Sequence, residues 1–402
     1  MKLVYIIIII LNILFMINTI HFGIFSILPF LKKKKKVVNK SRKMHKFIIL
    51  IAARNEEMVL GNLIDSLQKV DYPSELYQIC VIPNNCSDNT QKIAANKNCL
   101  VIEPETNVKT KGEVLNYCFQ YFKDNEFDAY IIFDADNIVS KDFLKEINNK
   151  LNEGYKIVQG FRDTKNLYEN HISGSFGLFF YLQNLFLYES RHRIGKNATI
   201  NGTGYAVMKN YINELPKFKT VTEDVELTCL TVLHDEKIGY AKKAIFYDEQ
   251  VTDFKVSIIQ RKRWIQGFIQ VYKIYFKDLL TKIIHKPSFE TIDFYHILYL
   301  PINQVFAILL LIISIFTIIP LKFLIITLIL GYLGEILIGI YLIKYYHKKI
   351  NKLWKTILFF PIFNISWIPI YIYSFFNSKN KWEEIKHTKD LKIEELEREL
   401  MK

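Results

Sequence analysis

Cysteine is scarce in this sequence: 402 residues include five, and no two of them form a CxxC pair. Single, scattered cysteines exclude a small domain that depends on disulfides. We expect these residues to be reduced thiols packed in a core, namely Cys80, Cys86, Cys99, Cys118 and Cys229.

Several motifs of nucleotide binding and hydrolysis are also missing. The sequence has no GxGxxG loop and no Walker lysine loop, so dinucleotide binding and ATP hydrolysis lose their usual support. It has neither a metalloprotease histidine pair nor a GxSxG elbow. No basic and aromatic pattern of a nucleic-acid module accompanies its lysine runs, and we expect no nucleic-acid partner.

Charged residues are absent from long stretches near both ends of the sequence. The mean hydropathy of +0.10, reached with 23% charged residues, indicates that apolar residues are concentrated in these stretches. About 20 apolar residues cross a hydrocarbon core of roughly 30 Å. The sequence therefore predicts an integral membrane protein with an N-terminal anchor and C-terminal helices, at 3–31, 297–319, 321–343 and 357–376.

The basic residues predict the topology. Net charge is +13, from 53 Lys and Arg against 40 Asp and Glu, and five lysines follow the first apolar stretch at 32–36. The positive-inside rule then places residues 32–293 in the cytoplasm of a multi-pass cell-membrane protein. Three further crossings would leave the lysine-rich tail, 377–402, outside. We therefore expect one segment, most plausibly 357–376 with its two prolines, to be interfacial or re-entrant.

Short apolar runs alternate with helical patterns between these stretches. Strands are predicted at 47–51, 78–82, 100–103 and 130–133, and helices near 56–69, 88–97, 111–122 and 140–152. This alternation predicts an α/β domain over 46–253 with a mostly parallel sheet and with ligands at the carboxyl ends of its strands. Later elements are expected at 156–161, 174–193 and 222–234, followed by an interfacial helix at 254–280.

Asp134-Ala135-Asp136 follows the predicted strand at 130–133 directly. Two carboxylates at i and i+2 can face one hard divalent cation, which would neutralise a substrate diphosphate. The alternative is a solvated turn or a helix cap at Asp136-Asn137.

Thr222-Glu223-Asp224 stands at the start of a predicted helix. Thr222 suits an N-cap, and the two acids would complement the helix dipole. In the other interpretation Asp224 is a general base that takes a proton from an attacking hydroxyl. The spacing leaves both open.

Gln260-Arg261-Lys262-Arg263-Trp264 opens the predicted interfacial helix. Arg263 can hold a phosphate through paired hydrogen bonds, and Trp264 can stack on a sugar. Anchoring in the membrane interface explains the same residues equally well. Two weaker motifs are Ala53-Arg54-Asn55-Glu56 after the first strand and Lys111-Gly112-Glu113 at a helix start.

These motifs, taken in order together with Asn84-Asn85-Cys86-Ser87-Asp88, resemble the membrane-bound family 2 glycosyltransferases. That group includes the cellulose, chitin, hyaluronan and poly-N-acetylglucosamine synthases and the ceramide glucosyltransferases. The resemblance covers about residues 46–270 and rests on DxD, TED and QxxRW at these separations.

The resemblance implies a GT-A-type domain, inserted between membrane helices, that acts as an inverting hexosyltransferase on a nucleotide-sugar, most plausibly a UDP-sugar. It implies that Asp224 is the catalytic base and that Asp134 and Asp136 hold Mg²⁺ or Mn²⁺. The residues that it implies for substrate binding are Ala53, Glu56, Asn84, Lys111, Asp134, Gln260, Arg263 and Trp264. Asn84 departs from the family pattern, which usually has a carboxylate there, so nucleotide affinity or base choice could differ.

Three functions remain open at this point. The first hypothesis is a polysaccharide synthase that elongates a growing chain. The alternative is transfer of one sugar to a membrane lipid, and the third is a non-catalytic membrane scaffold. Membrane lipids and an accessory subunit are further expected partners.

Overall fold

A computed structural model describes residues 2–27, 30, 43–104, 108–317, 321–377 and 389–401. The chain divides into two units. The sheet unit consists of Lys32–Asn166, Leu187–Gln250 and Glu384–Lys402, and the helical unit of Met1–Leu31, Leu167–Phe186 and Val251–Glu383. The five lysines at 32–36 lie outside the described residues.

The sheet unit contains eight strands among its described residues, in the order β3-β2-β1-β4-β7-β6-β8-β5. The strands are β1 (Phe47–Ala53), β2 (Tyr77–Pro83), β3 (Leu100–Val101), β4 (Ala129–Asp134), β5 (Ile138–Val139), β6 (Ile157–Thr164), β7 (Tyr205–Met208) and β8 (Ile238–Asp248). The pairs β1/β2, β1/β4, β2/β3 and β6/β8 are parallel, whereas β7 is antiparallel to both β4 and β6, and β5 to β8.

The centre of the sheet is buried on both faces because β1 and β4 are nearly continuous runs of Ile, Leu, Phe and Ala. Their register pairs Ala52 with Asp134, and that of β1 with β2 pairs Ala53 with Pro83. The carboxyl ends of three neighbouring parallel strands therefore meet at one edge of the sheet. The predicted α/β architecture with a mostly parallel sheet is confirmed.

Helices cover the sheet through a core of Leu, Ile, Val and Phe side chains. In this unit they are α2 (Leu60–Leu67), α3 (Thr90–Asn96), α4 (Lys111–Tyr121), α5 (Phe143–Leu151), α7 (Ser190–Arg193), α8 (Lys209–Ile212), α9 (Glu223–Leu233) and α15 (Ile393–Met401). In the helical unit they are α1 (Lys2–Ile27), α6 (His171–Leu182), α10 (Phe254–His285), α11 (Phe289–Thr317), α12 (Leu321–Tyr345), α13 (Trp354–Ile365) and α14 (Trp367–Phe376).

Three segments of the described chain are long and apolar enough to cross a membrane: Phe289–Leu310, Ile325–Tyr345 and Trp354–Phe376. Helix α1 has 26 residues, and its apolar stretch over the described side chains, Met16–Ile27, is shorter than these three. The expected span at 357–376 consists of two helices that meet at Ser366. Pro369 explains this break, because it lacks the N–H that would bond the carbonyl of Ile365 in a continuous helix.

Candidate active site

Asp134 ends β4, and Asp136 lies buried in the turn that follows. The fully buried side chain of Asn137 supports this turn by donating hydrogen bonds to a carboxylate oxygen of Asp136 (3.2 Å) and to Asp248 (2.7 Å). The backbone N–H of Asp134 donates to the hydroxyl of Thr203 (2.9 Å). The two carboxylates of the motif are thus presented by a rigid turn, because buried hydrogen bonds fix its backbone.

Lys111, at the start of α4, contacts β4, the loop before β7 and the start of α9. Its ammonium forms an ion pair with Asp134, donates to the carbonyl of Gly202 (2.8 Å) and lies 3.8 Å from a carboxylate oxygen of Glu223. Burial alone would lower the pKa of Lys111, but the carboxylates of Asp134 and Glu223 outweigh it and raise that pKa. Lys111 is therefore a permanent cation between the ends of β4 and α9.

Gly112 explains how α4 comes so close to α9. A Cβ atom at this position would lie 3.2 Å from Cβ of Phe218 and 3.3 Å from Cβ of Glu223. A larger side chain would push the start of α4 away, and Lys111 with it. Gly112 therefore allows the close packing of α4 against α9 that positions the ammonium of Lys111.

Glu223 and Asp224 form the first turn of α9. Glu223 is buried and Asp224 is half-buried, and a Cβ atom on Gly202 would lie 3.7 Å from Oδ2 of Asp224. Burial is the main cause that raises the pKa of both acids, while Lys111 and nearby backbone N–H groups lower it. The two carboxyl groups titrate as a coupled pair, and Asp224 is the more accessible one.

The other residues around this helix start have structural roles. Thr222 occupies the N-cap position, but its hydroxyl makes no capping bond and is buried without a hydrogen-bond partner. Capping by that side chain, one alternative from the sequence, is therefore wrong. Glu226 instead accepts hydrogen bonds from the N–H groups of Lys219 (2.9 Å) and Thr220 (2.8 Å), which orders the loop before the helix.

The loops after β1 and β2 are tied to each other. The N–H of Asn84 donates to the carbonyl of Ala53 (2.8 Å), and the N–H of Glu56 donates to the hydroxyl of Thr90 (2.8 Å). The amide oxygen of Asn84 accepts from the side chain of Asn85 (3.0 Å), and Asn84 itself is 9% exposed. The roles of Ala53, Glu56 and Asn84 in nucleotide binding stay predictions.

Gln260, Arg263 and Trp264 lie on α10 in the helical unit. Trp264 packs edge-on against Phe176 (6.0 Å between ring centroids) and Phe180 (6.1 Å). The side-chain oxygen of Gln260 is buried without a hydrogen-bond partner. Their predicted contacts with pyrophosphate and acceptor stay predictions.

Arg261, which the sequence pattern did not single out, is fully buried on the same helix. Its guanidinium donates to the hydroxyl of Ser366 (2.8 Å) and lies 4.5 Å from the ring centroid of Phe363. Burial lowers the pKa of Arg261 to about 10. This arginine holds α10 against α13 and α14, a role that only the fold could reveal.

The structure thus brings Lys111, Asp134 and Glu223 into contact within the sheet unit, with Asp136 in the turn after β4 and Asp224 in the first turn of α9. Sequence reasoning treated Glu223 only as a helix-dipole acid and Asn137 only as a cap. It did not consider three buried residues behind the DxD turn: Arg162, Lys165 and Asp248. Their spacing along the chain gives no signal, since they come from β6, the residue after it and β8.

The donor set of this site fits a divalent cation that shares its coordination with a diphosphate. Asp134 and Asp136 offer two carboxylates, and Mg²⁺ is commonly bound by one or two carboxylates together with substrate phosphates. Among the described residues, no group of three or more His, Cys, Asp or Glu side chains could hold a metal ion by itself. The remaining ligands would have to come from substrate and water.

A family model described as "Glycosyltransferase like family 2" matches residues 45–267. Beta-monoglucosyldiacylglycerol synthase from Synechocystis sp. is 25% identical over 245 residues, which are 58% of this chain and 50% of that protein. Probable glycosyltransferase YdaM from Bacillus subtilis is 27% identical over 241 residues, 56% of each chain. The chain therefore spans about half the length of the curated relatives that it matches.

Among solved structures, the mannosyltransferase PcManGT from Pyrobaculum calidifontis, in complex with GDP-Man and Mn²⁺, has a TM-score of 0.55 to this chain. The likeness covers 89% of this chain and 99% of that one, at 15% sequence identity. At this identity the likeness concerns the fold alone. The expected GT-A-type fold is confirmed.

Proposed function

Because the chain belongs to the family described as glycosyltransferase like family 2, we propose that it transfers a sugar from a nucleotide-sugar to a membrane lipid. The observation that carries the transfer is the cluster at the carboxyl end of β4, where Lys111 contacts Asp134 beside Glu223 and Asp224. A cation, a carboxylate pair and a further accessible carboxylate are the groups that inverting transfer from a sugar diphosphate needs.

Each side chain has a separate task in this proposal. Asp134 and Asp136 hold Mg²⁺ or Mn²⁺, which supplies positive charge to the departing nucleoside diphosphate. Lys111 adds a second positive charge at the same place, and it acts most strongly when negative charge develops in the transition state. Asp224 accepts the proton of the attacking hydroxyl. Ala53, Glu56 and Asn84 line the nucleoside side.

Two observations support a lipid acceptor. The described chain has three segments apolar enough to cross a membrane, so the protein is membrane-associated and has a supply of lipid alcohols. Relatives at 25% and 27% identity bear the names beta-monoglucosyldiacylglycerol synthase and probable glycosyltransferase YdaM. The first of these names favours the lipid acceptor over the polysaccharide that the sequence motifs placed first.

A growing polysaccharide is the second candidate acceptor. The Gln260, Arg263 and Trp264 pattern favours it, since the resemblance links QxxRW to polymer synthases, although the pattern also occurs in lipid glucosyltransferases. In either case the site faces the cytosol in this proposal, where nucleotide-sugars are available, and the protein is a multi-pass protein of the cell membrane.

Product analysis tests the proposal. Membranes containing the protein are incubated with radiolabelled UDP- and GDP-sugars, Mn²⁺ or Mg²⁺ and diacylglycerol, beside Asp136→Ala and Asp224→Asn. We expect label in the organic-solvent extract that both substitutions abolish. Label in an ethanol-insoluble fraction would identify the polysaccharide instead. Lack of label in both fractions with every sugar would contradict transferase activity and favour the scaffold.

A further inference from the structure

Residues 389–401 pack on the sheet unit, although they lie far in sequence from its other residues. We call them the docked segment. Ile393 and Leu396 of α15 are buried against Ile138 of β5 and Tyr247 of β8. Ile138 is only two residues after Asp136. The segment therefore covers the strand that leaves the DxD turn.

Polar contacts fix the position of the docked segment. The side chain of Asn62 donates to Asp390 (2.7 Å), and Lys69 forms an ion pair with Glu394 (2.5 Å). The backbone N–H of Lys389 lies within hydrogen-bond distance of both carboxylate oxygens of Glu249, at 3.2 and 3.3 Å. Together with the apolar burial, this last contact places the backbone N–H of Lys389 on the carboxylate of Glu249, whose side chain is 8% exposed.

Glu249 connects the docked segment to the DxD turn through one residue. Its carboxylate lies 3.7 Å from the ammonium of Lys165, whose side chain is fully buried. That ammonium donates to the backbone carbonyl of Asp136 (3.2 Å). A buried ammonium requires a nearby anion, so the geometry of Lys165 depends on Glu249.

We propose that the docked segment positions the metal-binding turn, acting through Glu249 and Lys165 on the carbonyl of Asp136. Glu249, Lys165 and the segment are positioning elements and contact no substrate. The inference rests on the proposed function, since it concerns the cation that Asp134 and Asp136 would hold. Loss of the segment would leave both carboxylates present and loosen their arrangement.

Mn²⁺ binding by the full-length protein in detergent, with UDP or GDP present to supply the diphosphate ligands, tests this inference, with free Mn²⁺ measured by EPR and activity measured separately. Glu249→Gln removes the anion that Lys165 needs, and Leu396→Asp undocks α15. We expect each to weaken Mn²⁺ affinity about ten-fold and to raise the Mn²⁺ concentration for half-maximal activity, with kcat at saturating Mn²⁺ largely kept. Glu249→Asp should restore most of the affinity.

Glu394→Gln is the matched control, because it breaks an exposed ion pair of the same segment and leaves the apolar contacts and Glu249 intact. We expect wild-type Mn²⁺ affinity for this variant. Unchanged affinity in folded Glu249→Gln and Leu396→Asp would overturn the inference, as would a fall in kcat at unchanged Mn²⁺ affinity. If the wild-type protein binds no Mn²⁺ even with these nucleotides, the cation of the proposed function is wrong and the inference falls with it.

Discussion

Asp224 is the residue on which the proposed chemistry depends most directly. It stands in the first turn of α9, half-buried, with Gly202 close to its carboxylate. Asp224→Asn keeps the shape and removes the proton acceptor, and general-base catalysis contributes about 10²–10⁴-fold. We expect kcat to fall by about that factor with little change in KM for the nucleotide-sugar, measured by nucleotide release.

Asp142→Asn is a suitable control for this substitution. It also removes one negative charge at a helix start, because Asp142 immediately precedes α5. Its side chain is 62% exposed. We expect wild-type kinetics for this variant. Equal effects of the two substitutions would mean that Asp224 acts through helix stability and not as a base.

The coupled pair Glu223 and Asp224 predicts a distinctive pH dependence. Burial raises the pKa of both, and the charge of Asp224 raises the pKa of Glu223 further. Asp224 must be ionised to act as a base, so activity is lost as pH falls through its raised pKa. We expect the acid limb of the kcat/KM profile to lie above the ordinary range of an aspartate.

Glu223→Gln tests the coupling. A neutral Gln resembles the protonated form of Glu223, whose pKa burial and the charge of Asp224 raise to about 7, so an acid limb set by Asp224 should remain. The pH–rate profiles of the two proteins measure this limb. Its loss would assign the titration to Glu223.

Two glycines with left-handed backbone conformations differ in the space around them. Gly204 has φ +63°, and a Cβ atom there would overlap the ring of Phe246. Gly154 has φ +96°, and a Cβ atom there would meet nothing within 4 Å. Gly204 also links β4 to β6, since its N–H donates to Ile132 (2.8 Å) and its carbonyl accepts from Gly160 (2.9 Å).

Gly204→Ala should therefore destabilise the protein far more than Gly154→Ala. Both substitutions carry the backbone cost of a left-handed conformation, about 1–2 kcal/mol for a residue with a Cβ atom. Only the first also forces an aromatic ring out of the core. Thermal unfolding followed by circular dichroism measures the difference, and similar melting temperatures would show that β7 can shift without cost.

Elements with a strong local pattern could be predicted from sequence, and others could not. The predicted starts of β1 and β4 agree with the structure to within one residue, because both are uninterrupted apolar runs. Strand β8 was missed, since Lys242 and Lys243 interrupt its apolar pattern. Helix α15 lies in a charged tail, where Ile393 and Leu396 are the buried apolar residues among the side chains that the structure describes.

The residues of the candidate site also divide into those that a sequence motif marks and those that only the fold brings together. Motif order and the resemblance to a family pointed to Lys111, Asp134 and Asp224, and the structure places Lys111 against Asp134, while their roles stay predictions. The supports behind them come from distant parts of the chain: Lys165 and Glu249 are 84 positions apart, yet 3.7 Å separates their charged groups. Such pairs have no local signal, because only the sheet order brings them together.

At the scale of the whole molecule, the docked segment constrains the topology. Residues 43–166 and 187–250 supply most of the sheet unit and residues 389–401 complete it, so these parts must lie on the same side of the membrane. The chain between them must then cross an even number of times, yet it has three candidate segments. The α13–α14 segment, broken at Ser366, is the one that we expect to be re-entrant.

Cysteine labelling in intact cells measures this topology with a membrane-impermeant reagent. Exposed lysines at 123, 322, 352 and 392 offer single sites, and the native cysteines all belong to the sheet unit. We expect Lys322→Cys to be labelled, and Lys123→Cys, Lys352→Cys and Lys392→Cys to be protected until the cells are opened. Labelling of Lys392→Cys from outside would contradict the docking of residues 389–401.

The docked segment also determines when the protein can become active during its synthesis. The strands and helices of the sheet unit up to residue 250 leave the ribosome before α11–α14, but Ile393 and Leu396 emerge after them. The edge formed by β5 and β8 therefore stays uncovered while the apolar helices enter the bilayer. If the docked segment positions the DxD turn, a nascent chain cannot bind its cation tightly until membrane insertion is complete, so translation order itself would delay sugar transfer.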